Sequence, residues 1–279
     1  MILSAKEATE AYITASVAKS KMPTGRMVGK SMLAGMMIGM GAAESNVAAH
    51  AITNVGLARL VAAVVFPVGL MMVILLAAEL FTGDCLVAMA IPAKKVSVLQ
   101  FVRILVVVFI GNLLGAALFT WLVMLSGQWD YSSGLLGAYT IKIAVGKVNL
   151  SFERALASGI LCNILVSAAV LMATCAKDVT GKLLVSFFVI MLFVTSGYEH
   201  CVANMYYITA GLLAKMDSTY VDVAMQQYGM TATQLDSLNL YGFFVTNLIP
   251  VTLGNIIGGS ACVGLPVYLL NRDKTKKDA

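Results

Sequence analysis

Apolar positions along the chain fall into long runs without charge. Residues 104–129, 155–176 and 237–271 contain no Asp, Glu, Lys or Arg, and about 20 apolar residues suffice for a helix to cross a bilayer. Two further runs are interrupted. Residues 60–78 are clean, meet Glu79 and Asp84, and resume apolar to Pro92; residues 183–198 meet Glu199 and His200 and continue to Ala214. A weaker segment, roughly 30–53, is rich in Gly, Ala and Met and carries Glu44. The pattern predicts an all-α polytopic membrane protein of six transmembrane helices, the second and fifth broken. Residues 1–25 lack a compact apolar core and hold Lys6, Glu7, Glu10, Lys19 and Lys21. They read as an amphipathic cytoplasmic helix on the membrane surface rather than a cleaved leader; the inner mouth of a pore or a neighbouring subunit are the other places for it.

The two halves repeat. Gly111-Asn-Leu-Leu-Gly115 in the third span returns as Gly254-Asn-Ile-Ile-Gly258 in the sixth, 143 positions later. The broken spans match through Glu79 and Glu199, the first and fourth more loosely through Gly35 and Gly159. Three spans per half give the halves opposite orientation, the inverted plan of many transporters. The chain thus reads as a single transmembrane domain: a surface helix (1–25), a first repeat (26–129), a second repeat with its preceding loop (130–271) and a basic cytoplasmic tail (272–279). Glycines four apart, as in Gly35/Gly39, Gly111/Gly115 and Gly254/Gly258, read as faces for close helix packing.

Composition narrows the class. Of 279 residues, 59% are hydrophobic and 12% charged, with mean hydropathy +0.88; soluble domains carry about 25% charge. Most soluble enzymes, disordered chains and basic nucleic-acid binders are excluded. With the N-terminus inside, fourteen Lys and Arg fall on the cytoplasmic side and five outside (Arg59, Lys142, Lys147, Arg154 and Lys215), so both termini are expected in the cytoplasm of a cell-membrane protein. The five cysteines show no metal-ligand spacing and read as packing residues. With no GxxxxGK[ST] loop and no nucleophile–base set, no metal, cofactor, nucleotide, nucleic acid or enzymatic role is expected.

Matched breaks in membrane helices mark a pathway. Freed backbone groups are tolerated there only inside protein or along water. Gly83 and Gly197 are placed to supply unusual backbone angles. Restarting half-helices present N-termini that favour an anion. Glu79, Asp84 and Glu199 are acidic and lie nearby; they are expected to cap backbone N–H groups rather than face the permeant. His200 is the titratable group near neutral pH in the interior, placed to attract an anion or lend it a proton.

AAELFTGD (77–84), GYEHCVANMYYI (197–208) and NLIPVTLGNIIGG (247–259) closely resemble the formate–nitrite transporter family, and the similarity covers nearly the whole chain. The resemblance implies an aquaporin-like protomer in a homo-pentamer within the lipid bilayer. Each protomer would hold a pore for small monovalent weak-acid anions (formate, nitrite or hydrosulfide) and protons. His200 resembles the family's pore histidine, and Thr82 the threonine that hydrogen-bonds the anion or that histidine. Leu80, Phe81 and Phe193 resemble an outer hydrophobic constriction, Phe66 and Leu70 an inner one. Lys147 resembles a vestibule lysine that concentrates anions, and Asn163 the polar residue below it. Two other readings stand beside this one. The first is a neutral-solute channel of the water or glycerol type, whose Asn-Pro-Ala pair is absent. The second is a membrane-embedded enzyme or receptor.

Overall fold

A computed structural model describes residues 2–272; Lys274, Lys276 and Lys277 of the basic tail lie outside the described residues. The regular elements are helical, apart from an isolated bridge between Ile2 and Ala176. In chain order they are α1 (Ala5–Ser20), α2 (Thr24–Ala49), α3 (Val55–Val65), α4 (Val68–Leu75), α5 (Phe81–Asp84) continued as a 3-10 turn (Cys85–Ala90), α6 (Val98–Leu125), a 3-10 turn (Gln128–Asp130), α7 (Leu135–Val148), α8 (Phe152–Cys175), α9 (Val179–Ser196), α10 (Cys201–Ala214), α11 (Ser218–Tyr228), α12 (Ala232–Ser237), α13 (Ile249–Ile256) and α14 (Leu265–Asn271). Wider π-helical turns at Gly242–Leu248 and Ile257–Gly264 flank α13.

Among the described residues, five helical stretches are long and apolar enough to cross a membrane: Val55–Leu75, Val98–Leu125, Phe152–Cys175, Val179–Ser196 and Gly242–Asn271. The expected first span is present as α2, 26 residues long, but Arg26, Lys30 and Glu44 interrupt its apolar run and lower its mean hydropathy below that of the group. Both expected breaks are present: the chain leaves helix at Leu76 and restarts at Phe81, and again between Ser196 and Cys201. Gly197 ends α9 in the left-handed region (φ 72°), as the sequence suggested. Gly83 does not; the left-handed residue at the first break is Ala77 (φ 50°), and Gly83 sits inside a helical turn. Among the described residues, three α-helices lie outside the expected elements: α7, and the short helices α11 and α12 between the fifth and sixth spans. Residues 135–148, read as loop, form the half-length helix α7, because Lys142 and Lys147 interrupt its apolar pattern.

The repeated glycines bring backbones together twice. On α2 and α6, a Cβ on Gly35 would strike the Asn112 carbonyl, and one on Gly115 the Met32 carbonyl. On α8 and α13 the same contact recurs: Gly254 abuts the Leu156 carbonyl, and a Cβ on Gly159 would come within 2.7 Å of the Val251 carbonyl. Backbone cannot step aside as a flexible side chain can. Gly115→Ala is therefore expected to lower stability by about 1–3 kcal/mol, whereas Gly25→Ala, with nothing within 4 Å of the new methyl, leaves it unchanged. Thermal unfolding of the purified variants checks the pair.

Helix α1 opens on a capping box between Ser4 and Glu7. It buries Ala8, Tyr12 and Ser16 against its own chain, where Tyr12 clusters with Leu86 and Met89. The Tyr12 hydroxyl donates to the Gly83 carbonyl at 2.7 Å. Its packing face thus meets the chain's own first break rather than a lipid surface.

Candidate functional site

The two breaks meet at the centre. Thr82, in the first turn of α5, lies with Oγ1 3.0 Å from His200 Nε2, and both side chains are buried. His200 is the N-cap of α10: its Nδ1 accepts the Ala203 N–H at 3.0 Å. A nitrogen that accepts carries no proton, so the neutral ring holds its proton on Nε2 and donates it to Thr82 Oγ1. The Thr82 hydroxyl then keeps its own proton for another acceptor.

A cavity lies on either side of this pair. The larger, about 600 Å³, is lined by Lys147, Phe66, Phe193 and His200. The smaller, about 280 Å³, is lined by Tyr12, Lys19, Leu70, Leu80 and Gly83. This corrects the expected grouping of apolar residues. Phe66 stands with Phe193, ring centroids 5.8 Å apart and edge to face, on the Lys147 side; Phe193 also lies 5.9 Å from the His200 ring. Leu70 stands with Leu80 on the α1 side. Pro67 separates α3 from α4 between Phe66 and Leu70, and the two side chains serve opposite cavities. Phe81 lines neither cavity; it packs on Phe109 with centroids 5.5 Å apart.

The carboxylates are not the caps expected of them. Glu79 pairs with Lys19 at 2.6 Å and Lys30 at 3.3 Å, and Asp84 pairs with Lys19. Glu199 accepts from Lys147 at 2.9 Å and from Asn204 at 2.6 Å. Asn204 also donates to Asn247 Oδ1, and Asn247 donates to the Lys147 carbonyl, which closes a ring that holds Lys147 at the cavity. Desolvation explains the choice: a buried carboxylate needs a full opposite charge more than a backbone dipole.

The caps are two asparagines that the sequence reading passed over. Asn112 Oδ1 accepts the Phe81 N–H at 3.0 Å, and its Nδ2 donates to the carbonyls of Ser31 and Glu79. Asn255 Oδ1 accepts the Cys201 N–H at 2.9 Å, and its Nδ2 donates to the carbonyls of Gly159 and Glu199. Each is the Asn of the repeated Gly-Asn motif, so each half fixes its break with the same three bonds. The available signal was a buried amide recurring at the same place in two charge-free runs. Asn163 lines neither cavity. It donates to the Thr82 carbonyl at 3.1 Å and the Asn255 carbonyl at 2.7 Å, and so ties the two breaks together.

Comparison with known proteins places this arrangement. The family model described as formate/nitrite transporter matches residues 6–269. The chain is similar to the formate channel FocA of Haemophilus influenzae, 40% identical over 75% of this chain and 73% of that protein. It is similar to a probable formate transporter of Methanothermobacter thermautotrophicus, 35% identical over 90% and 92%. Among solved structures, a pentameric formate channel with formate bound aligns with a TM-score of 0.80 at 32% identity, covering 88% of this chain and 97% of that one. The chain is a multi-pass membrane protein and belongs to the formate/nitrite transporter family.

Proposed function

We propose that the chain assembles as a homo-pentamer in the cell membrane. Each protomer passes small monovalent weak-acid anions (formate, nitrite or hydrosulfide) between its two cavities. The observation that carries this reading is the Thr82–His200 pair, buried where two half-helix N-termini converge and flanked by an apolar pair on either side. The halves are an inverted three-plus-three repeat, supported by the matched Asn112 and Asn255 bonds. The charge count supports an outward-facing Lys147 cavity and cytoplasmic termini.

An anion drawn by Lys147 meets Phe66 and Phe193, which exclude hydrated ions by the cost of stripping water. Between the constrictions it accepts the Thr82 hydroxyl proton in a hydrogen bond, supported by the partial positive charge of the restarting helices. His200 exchanges charge or a proton with the anion, and this exchange has a structural consequence. Charging the ring needs a proton at Nδ1, where the Ala203 N–H stands. Each exchange therefore releases the cap of α10, a cost of about 1 kcal/mol. The ion leaves past Leu70 and Leu80.

Reconstitution in vesicles tests the reading. Formate, nitrite or hydrosulfide flux through the wild-type protein is expected to exceed glycerol flux. Glycerol or water passing faster than every anion would overturn it in favour of a neutral-solute channel.

A further inference from the structure

The larger cavity holds more positive charge than anion passage requires. Its lining includes Arg59, Lys142 and Lys147 and no Asp or Glu. Lys147 is paired with Glu199, but Arg59 and Lys142 form no ion pair among the described residues. Lys142 Nζ instead lies over two ring faces, 4.2 Å from the Tyr228 centroid and 5.7 Å from that of Tyr139. Such contacts orient an ammonium group without neutralising it. Arg59 reaches the break between α9 and α10, its Nη1 3.3 Å from where a Cβ on Gly197 would stand. The smaller cavity differs, because Glu79 and Asp84 line it and pair with Lys19 and Lys30, leaving Lys182 as its one lining cation outside those pairs among the described residues.

Two cations without carboxylate partners favour a doubly charged ligand. Their attraction for it doubles with its charge, while the cost of taking an ion out of water grows as the square of the charge. Arg59 and Lys142 are solvent-exposed, so a dianion beside them keeps most of its water and is held more firmly than formate, yet it is stopped more firmly at the buried Phe66 and Phe193. A guanidinium fork matches a carboxylate in a way an ammonium does not. We propose that Arg59 and Lys142 form a docking site for small dicarboxylate dianions such as oxalate, which occupy this cavity and block the pore without crossing it.

The blocking half of this inference rests on the pore reading; the binding half does not. Titration calorimetry of the purified protein with potassium oxalate tests binding directly. One oxalate per chain is expected, with affinity falling as KCl is raised. Arg59→Gln and Lys142→Gln each weaken it about tenfold. Both side chains are exposed, so the variants are expected to fold, and unchanged thermal unfolding verifies this. In vesicles, oxalate on the Lys147 side slows wild-type formate flux, blocks each variant only at about tenfold higher concentration, and is not itself taken up. Undetectable binding, equal binding in wild type and variants, or oxalate uptake would each overturn the proposal. Failure of the pore reading would look different: no formate flux, with oxalate binding intact.

Discussion

Asn255→Leu is expected to destabilise the protein by about 3 kcal/mol or more, although it changes neither charge nor much volume. The substitution strips partners from the Cys201 N–H and from the carbonyls of Gly159 and Glu199. Asn255 and Cys201 are fully buried, so water does not take the amide's place, and each orphaned group costs about 1–3 kcal/mol. Asn112→Leu is expected to behave alike, through Phe81 N–H and the carbonyls of Ser31 and Glu79. Asn→Asp at either position keeps the acceptor and loses both donors, so it does not rescue. Thermal unfolding of the purified variants measures the effect, and reconstituted flux is expected to fall with it because the break no longer holds Thr82 and His200 in register. Melting temperatures equal to wild type would show that the breaks are fixed by something other than these amides.

These asparagines also mark where the sequence stopped being legible. Charge-free runs located the long apolar helices and both breaks, because burial in lipid leaves its record residue by residue. The glycines of the repeated motif were read correctly as packing positions, while the amide between them went unread. Its partners lie 31 to 96 positions away, and no local pattern announces them. The same holds for Glu79, Asp84 and Glu199. Their roles depend on Lys19, Lys30 and Lys147, which only the folded chain brings within reach. Helix α7 escaped because two lysines broke its apolar pattern. Sorting Phe66 from Leu70 required knowing that Pro67 divides their helix.

The second large effect is expected at the centre. Thr82→Val keeps the shape of the side chain and removes the hydroxyl that receives the His200 Nε2–H and offers its own proton onward. Losing a hydrogen bond to an anion costs about 1.5–3 kcal/mol, a decrease of roughly 10–100-fold in rate. Thr82→Ser retains the hydroxyl and is expected to retain flux. His200→Ala removes the Nε2–H that the Thr82 hydroxyl receives, together with the cap of α10, so it loses stability as well as flux; the Val and Ser pair separates chemistry from folding. The decisive measurement is formate flux into vesicles carrying equal amounts of wild-type, Thr82→Ser and Thr82→Val protein. Flux preserved in the serine variant and lost in the valine variant is the predicted result. Equal flux through all three would contradict passage by way of the Thr82–His200 pair.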